Sequence, residues 1–167
     1  HWATAETTVT VVADHAITET AIVESNITLD MNAKAVTAQD IYPVVRIQKG
    51  ASLIVTGAGS ITNNDYVFVL GASDGYSAGN LTIESGTYTG TVTVASVTKG
   101  LLTIKGGEFK VNDSEYGATY MINCIDANYN ADPRTANVEI YGGTFYGFNP
   151  QDNAAETGGH ANFCASG

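Results

Sequence analysis

The chain has 167 residues, of which 44% are hydrophobic and only 14% are charged, and it contains 18 glycines. This length suits one domain with a sizeable core, and a composition rich in Thr, Ser, Asn and Gly favours strands and tight turns over helices. The formal net charge of −10 would repel a nucleic-acid backbone or an anionic membrane surface, so neither is an expected partner.

Membrane insertion and bound metals are not expected either. No apolar run approaches the roughly 20 residues of a membrane span, and the first residues, HWATAETT, lack the charged and apolar regions of a signal peptide. An N-terminal His can chelate copper when a second His, here His15 or His160, completes the site. A leading His is more often left by a purification tag, so we expect no metal site and no cofactor.

The N-terminal part of the chain already shows strand-like alternation. Thr and Val alternate over residues 7–12, and ITETAIV follows, so residues 1–26 are predicted to form a cap, including Trp2, and a first coil. Regular coils are predicted from residue 27 to residue 147, starting with ITLDMNAKAVTA. Pro43 marks a corner between two strands of this first regular coil.

One decamer is repeated three times in the second half of the chain. Residues 81–90 read LTIESGTYTG, residues 102–111 read LTIKGGEFKV, and residues 138–147 read VEIYGGTFYG. Residues 53–62, LIVTGAGSIT, match with one extra residue at the bend, which a bulge would absorb. Each decamer predicts a strand, a glycine kink and a second strand, with alternate apolar residues facing one side.

A single decamer cannot bury its own apolar face, but identical units stacked about 4.8 Å apart can. A third strand-like segment recurs at residues 67–73, 91–97 and 118–127. The sequence therefore predicts one all-β domain over residues 1–167, a right-handed parallel β-helix of about five to six coils with three short strands each. Residues 148–167 are a tail or last coil. A β-sandwich also has short strands and frequent turns, but it has no reason to reuse one decamer.

Specific packing follows from this alignment of repeats. Ile83, Ile104 and Ile140 are predicted to stack in one internal ladder, with Tyr88, Phe109 and Phe145 inward after the kink. Lys105 and Lys110 should point outward. The two cysteines, Cys124 and Cys164, show no metal or disulfide spacing, and we expect both to be free, buried thiols. Cys164 is expected one coil beyond Cys124, on the same strand stack.

Two insertions, at residues 111–117 and 128–136, flank one coil. Long loops on one edge of a rigid scaffold are usual places for binding sites. The carboxylates at the corners of this coil are Asp113, Glu115, Asp126 and Asp132, and two carboxylates within roughly 5 to 10 Å would suit glycoside hydrolysis. Exposed tyrosines stack on sugar rings, and the candidates on or beside the insertions are Tyr116, Tyr129, Tyr141 and Tyr146. Tyr120 is a candidate for an inward position instead.

The end of the chain resembles a known group of proteins. The stretch GGTFYGFNPQDNAAE, residues 142–156, the LTI-x-x-GTY decamers and Asn162-Phe163 resemble right-handed parallel β-helix modules in virion proteins of phages and prophages of gut bacteria, and in some bacterial surface proteins. The resemblance covers roughly residues 80–167. The pectate-lyase-like superfamily shares the fold but matches more loosely.

The resemblance implies a rigid tail- or head-fibre segment, commonly trimeric, on a virion or a bacterial cell surface. The expected function is therefore a non-enzymatic structural, receptor-binding or glycan-binding module, with cell-surface polysaccharide as the candidate partner. The alternative is a polysaccharide lyase or glycoside hydrolase with its cleft between residues 111–117 and 128–136. Only seven Lys and Arg residues are present, which leaves few basic groups for a lyase.

Overall fold

The structure, a computed structural model, describes residues 7–48, 50–71, 78–113, 115–153 and 161–166. Within these residues seventeen strands form three sheets, and all neighbouring strands of the sheets pair in parallel. The predicted cap residue Trp2, together with His1 and His160, lies outside the described residues. In the part that is described, no helix is long and apolar enough to cross a membrane.

Sheet A contains β1 (Thr7–Thr10), β4 (Ile27–Asp30), β7 (Ser52–Thr56), β10 (Gly79–Ile83), β13 (Gly100–Ile104) and β16 (Ala136–Ile140). Sheet B contains β2 (His15–Ile17), β5 (Lys34–Ala38), β8 (Gly59–Thr62), β11 (Thr87–Gly90), β14 (Glu108–Val111) and β17 (Thr144–Phe145). Sheet C contains β3 (Ala21–Val23), β6 (Val45–Ile47), β9 (Phe68–Leu70), β12 (Ala95–Val97) and β15 (Ile122–Cys124). A four-residue helix, α1 (Asp126–Tyr129), follows β15.

The chain thus visits sheets A, B and C in turn, and each visit adds one rung to the stack. This confirms the all-β parallel β-helix with three short strands per coil, while its right hand stays a prediction. The third strands are shorter than the sequence indicated, with only three residues each in sheet C. The flanking residues of the predicted segments form corners, where apolar character reflects burial rather than strand pairing.

The predicted isoleucine ladder is present. Ile83 pairs with Ile104 and Ile104 with Ile140, and the three side chains are 0%, 0% and 5% exposed. Leu81, Leu102 and Val138 form a second ladder two residues earlier, as alternation within a strand requires. Because each apolar residue repeats at the same place on the next rung, the core is a continuous column inside the solenoid.

The aromatic residues of the decamers also stack inside the solenoid. The rings of Tyr88 and Phe109 lie 5.5 Å apart, and those of Phe109 and Phe145 lie 4.8 Å apart with an interplanar angle of 10°. Tyr88 is buried, and its hydroxyl donates a hydrogen bond to the Ser85 carbonyl oxygen at 2.6 Å. Burial raises the pKa of Tyr88, so it stays a neutral donor within the core.

The kink between sheets A and B requires glycine. Gly86, Gly107 and Gly143 have φ values of 106°, 104° and 124°, which side-chain-bearing residues rarely adopt. The extra residue predicted for residues 53–62 lies at this kink. Val55 pairs with Ile83 before the kink, and Ser60 pairs with Thr87 after it, so the chain uses five steps where the next rung uses four. The kink absorbs the insertion, and both flanking strands keep their register.

The C-terminal segment does not follow the predicted path. Cys164 forms a parallel bridge with Ile140 of sheet A, and Ala161 forms an antiparallel bridge with Asn153. The expectation that Cys164 extends the stack of Cys124 in sheet C is therefore wrong. Phe163, 1% exposed, supplies the reason, because its burial and the hydrogen bond from the Ile140 amide to its carbonyl oxygen hold the segment beside sheet A.

Both cysteines are free, as predicted, but they differ in environment. Cys124 is fully buried, whereas Cys164 is only half-buried, so the prediction of two buried thiols is wrong for Cys164. Burial raises the pKa of the Cys124 thiol to about 12, with Arg134 lowering it and Asp126 raising it. The thiol of Cys124 is therefore protonated near neutral pH and poorly reactive.

Thiol titration distinguishes the two cysteines. We expect one thiol, Cys164, to react rapidly with an aromatic disulfide reagent in the native protein near neutral pH, and both to react in denaturant without reductant. The Cys164→Ser variant should show almost no rapid native reaction. Two rapidly reacting native thiols would contradict the burial of Cys124, and none in denaturant would show a disulfide.

Candidate functional site

Of the two insertions predicted from the sequence, one precedes β15 in the chain and the other follows it. The first lies between β14 and β15, and the second, which begins within α1, lies between β15 and β16. Asp113, Glu115 and Tyr116 share the first insertion, where the Asp113 carboxylate accepts hydrogen bonds from the backbone N–H groups of Glu115 and Tyr116. This carboxylate stabilises a local turn, the usual role of Asp at the start of a loop.

Asp126 lies just before the second insertion, and Asp132 lies within it. Asp126 begins α1, with one carboxylate oxygen buried and accepting no hydrogen bond from the described residues, and Asp132 is exposed in the following loop. Between the insertions, Asn123 points away from the core side chains of β15 yet is only 5% exposed. The floor of a cleft between the insertions is therefore largely covered.

The four candidate tyrosines fall into three places. Tyr116 is 51% exposed and packs edge-on against Tyr120, with ring centroids 5.7 Å apart. Tyr120, a candidate for an inward position, is half-buried. Tyr129 is covered on one face by the Arg134 guanidinium, 3.9 Å from its ring centre, and packs against Phe163. These contacts give Tyr129 a packing role and leave little of its ring for a ligand.

Tyr141 and Tyr146 both lie on the last rung, Tyr141 directly after β16 of sheet A and Tyr146 directly after β17 of sheet B. They are 60% and 52% exposed. The Tyr141 hydroxyl donates a hydrogen bond to Glu139 at 3.2 Å, and the Tyr146 hydroxyl donates one to Glu108 at 3.4 Å. The bond to the Glu139 carboxylate is the main cause that raises the pKa of Tyr141. Both rings are thus held by hydrogen bonds while their faces meet solvent.

The corner between sheets A and B forms a groove of about 550 Å³, which we call the A–B groove. Its lining residues come from four successive rungs: Ala58, Gly59, Ser85, Gly86, Thr87, Gly106, Gly107, Glu108, Gly143 and Thr144. A Cβ at Gly106 would lie 2.6 Å from the Glu84 carbonyl oxygen, and one at Gly142 would lie 2.8 Å from that of Lys105. Glycine is therefore required by packing, and it also keeps the groove free of side chains.

Charged side chains lie along the rims of the A–B groove. On the sheet A side, Glu84 and Lys105 form an exposed ion pair at 3.3 Å, and Tyr141 occupies the same position on the next rung. On the sheet B side, Glu108 lines the groove and Lys110 is exposed. Both lysines point outward, as predicted. The sequence analysis did not identify Glu108 or Glu139 as partners of the exposed tyrosines. The contact of Tyr146 with Glu108 joins two rungs, whereas that of Tyr141 with Glu139 is local, two residues apart, and the spacing in the sequence could have indicated it.

This arrangement suits binding better than covalent chemistry. Aromatic faces, carboxylates and hydroxyl groups around a shallow groove are the groups that stack on sugar rings and bond to sugar hydroxyls. Within the described residues, no group of three His, Cys, Asp or Glu side chains could hold a metal ion.

The fold and this site define a parallel β-solenoid with an aromatic-rimmed groove at one corner. Comparisons with protein-family models, curated proteins and solved structures find no match for the chain.

Proposed function

We propose that this chain is a non-enzymatic, glycan-binding β-solenoid module that uses the A–B groove. The observation that carries the proposal is that Tyr141 and Tyr146, each more than half exposed, lie next to a glycine-lined groove: Tyr141 is two residues before the lining residue Gly143, and Tyr146 is hydrogen-bonded to the lining residue Glu108. A sugar ring over the groove would stack on a tyrosine face, while Glu108, Glu139 and Thr144 accept or donate hydrogen bonds. Stacking on a preordered ring costs little conformational entropy.

The charge of the molecule favours neutral over acidic glycans. The net charge is −10, and Glu84, Glu108 and Glu139 lie beside the groove with Lys105 as their basic neighbour. An acidic polysaccharide would meet repulsion that a neutral one does not. We therefore place neutral cell-surface polysaccharide first among the partners.

The wider setting that we propose is a rigid fibre segment of a phage virion or a bacterial surface protein, assembled as a trimer. Its support is the sequence resemblance at residues 142–156 together with the stiff, continuous core of the solenoid. Sedimentation at high protein concentration tests the assembly, and a strictly monomeric mass would rule out the trimer while leaving glycan binding in place.

Alanine substitution in the A–B groove tests the binding proposal. We expect the wild-type protein to be retarded in gels containing one or more neutral polysaccharides of plant or bacterial origin. Each of Tyr141→Ala and Tyr146→Ala should weaken that binding about 2- to 10-fold, because a lost aromatic stack is worth about 0.5–1.5 kcal/mol.

The control is Val12→Ala, which removes an 82%-exposed apolar side chain from the opposite end of the solenoid and should leave binding unchanged. Phenylalanine at positions 141 and 146 should retain most of the affinity, since the ring is kept. Equal binding by the wild type and both alanine variants, or no binding to any neutral polysaccharide tested, would contradict the proposal for this groove.

The alternative function, a polysaccharide lyase or glycoside hydrolase between the two insertions, has weaker support. Asp113 is engaged by backbone N–H groups, and Asn123 between the insertions is nearly covered. Release of reducing ends from a glycan panel, lost in Asp126→Asn or Asp132→Asn, would establish it. Absence of cleavage of any glycan would leave a binding or a structural role.

A further inference from the structure

The corner between sheets B and C, which we call the B–C corner, carries an unbroken row of polar side chains. On five successive rungs, the residue at the register position where sheet B ends is Thr18, Gln39, Asn64, Thr91 and Asn112. All are exposed except Thr91, which is half-buried. Thr18, Gln39 and Asn64 line a groove of about 560 Å³. Each of these five rungs thus places one polar side chain at the corner, and successive rungs are about 4.8 Å apart along the solenoid axis.

Two pairs of tyrosines lie along the same corner. Tyr42, 56% exposed, packs against Tyr66 with ring centroids 5.0 Å apart, and Tyr116 packs against Tyr120 at 5.7 Å. Tyr66 and Tyr120 each lie two residues before positions, Phe68 and Ile122, that both pair with Ala95. The strands that follow them, β9 and β15, therefore lie two rungs, or about 9.6 Å, apart, and Tyr120 itself lies in the turn before β15.

The edge-to-face packing within each pair orders the rings without covering them. The Tyr42 and Tyr66 rings meet at an interplanar angle of 63°, and the Tyr116 and Tyr120 rings at 85°. The rung between the pairs contributes Thr91, Val92 and Thr93, which are half-buried or buried. Their short side chains therefore project little from the surface between the two tyrosine pairs. A ligand lying along the axis can therefore contact both pairs.

Charge at the B–C corner again disfavours acidic ligands. Asp65 and Asp113 accept hydrogen bonds from the backbone beside Tyr66 and Tyr116, and so place fixed carboxylates next to both pairs. The Arg46 guanidinium, 5.9 Å from the Tyr42 ring centre, is held by that ring and by the Gly71 carbonyl oxygen. A neutral chain of sugar rings meets no such repulsion.

We propose that the B–C corner is a second binding surface, which holds a neutral, linear polysaccharide along the solenoid axis. Sugar faces stack on the Tyr42–Tyr66 and Tyr116–Tyr120 pairs, and the row of amides and hydroxyls bonds to sugar hydroxyls. The two strands that follow the pairs, β9 and β15, are about 9.6 Å apart, which is comparable to the length of two sugar residues in an extended 1,4-linked chain. The surface shares no residue with the A–B groove.

The test uses a panel of neutral 1,4-linked gluco-, manno- and xylo-oligosaccharides of increasing length, with binding measured by calorimetry on the full chain. We expect affinity for at least one series to rise with length until the oligomer spans both tyrosine pairs, and then to level off. The double variant Tyr42→Ala/Tyr66→Ala should bind about tenfold more weakly and lose the dependence on length.

Two further variants keep the result interpretable. Tyr42→Phe/Tyr66→Phe retains both rings and should keep most of the affinity, which separates loss of stacking from loss of folding. Tyr141→Ala/Tyr146→Ala leaves the B–C corner intact and should keep the dependence on length, so failure of this proposal is distinguishable from failure of the A–B groove. Unchanged length-dependent binding by Tyr42→Ala/Tyr66→Ala, or no binding across the panel, would overturn the proposal.

Discussion

The Ile104→Ala variant is expected to lower the free energy of unfolding by about 2–5 kcal/mol. Ile104 is fully buried and sits in register between Ile83 and Ile140. Truncation removes apolar contacts to both neighbouring rungs and leaves a cavity inside the column. The rungs cannot close over that cavity, because parallel backbone hydrogen bonds on all three sheets hold them at a fixed spacing.

Chemical denaturation, followed by far-ultraviolet circular dichroism, measures this loss. The adjacent Thr103→Ala variant is a matched control, since Thr103 lies in the same strand but points outward and is half-exposed. It should change the free energy of unfolding by about 0.5 kcal/mol or less. Comparable losses in the two variants would contradict the inward ladder.

The repeated part of the fold could be predicted because its information is local. In each decamer the alternation of apolar residues fixes which side faces inward, and Gly86, Gly107 and Gly143 fix where the chain turns. Aligning the decamers in sequence then aligns them in space, which is why Ile83, Ile104 and Ile140 pair as predicted.

The C-terminal segment could not be predicted in this way because it does not repeat an earlier rung. Its position depends on Phe163, which is buried and packs edge-on against Tyr129, and on the Asn153–Ala161 bridge. Both contacts join segments whose sequences have no shared period. The similar sequences around Cys124 and Cys164 therefore led to a wrong prediction, because Cys124 pairs within sheet C whereas Cys164 pairs with sheet A.

The candidate sites were predicted in part. The sequence selected Tyr141 and Tyr146 for their closeness to the insertions, but the glycine-lined groove beside them depends on the stacking of four kinks. Tyr42 and Tyr66 were not selected, since they belong to corners of different length. Aligning the rungs on their sheet C strands, rather than on the decamers, would have placed both Tyr66 and Tyr120 just before a sheet C strand, at the B–C corner.

The same close stacking makes certain glycines indispensable, and Gly100→Ala should be among the most destabilising single substitutions. A Cβ at Gly100 would lie 1.8 Å from the Gly79 carbonyl oxygen and within 3 Å of two further backbone atoms of Gly79. The φ value of 112° adds backbone strain for any residue with a side chain. Strain of about 1–3 kcal/mol and overpacking of similar size predict a loss of roughly 2–6 kcal/mol.

Gly117→Ala separates the two causes. Gly117 also has a positive φ, 56°, but a Cβ there would meet no atom within 4 Å. It should therefore show only the cost of the left-handed conformation, about 1–2 kcal/mol. We expect Gly100→Ala to lose the cooperative unfolding transition or to shift it far more than Gly117→Ala does in the same denaturant titration. Equal shifts would mean that sheet A can separate at β10 and β13, and that the rungs are not held at the spacing on which both proposed binding surfaces depend.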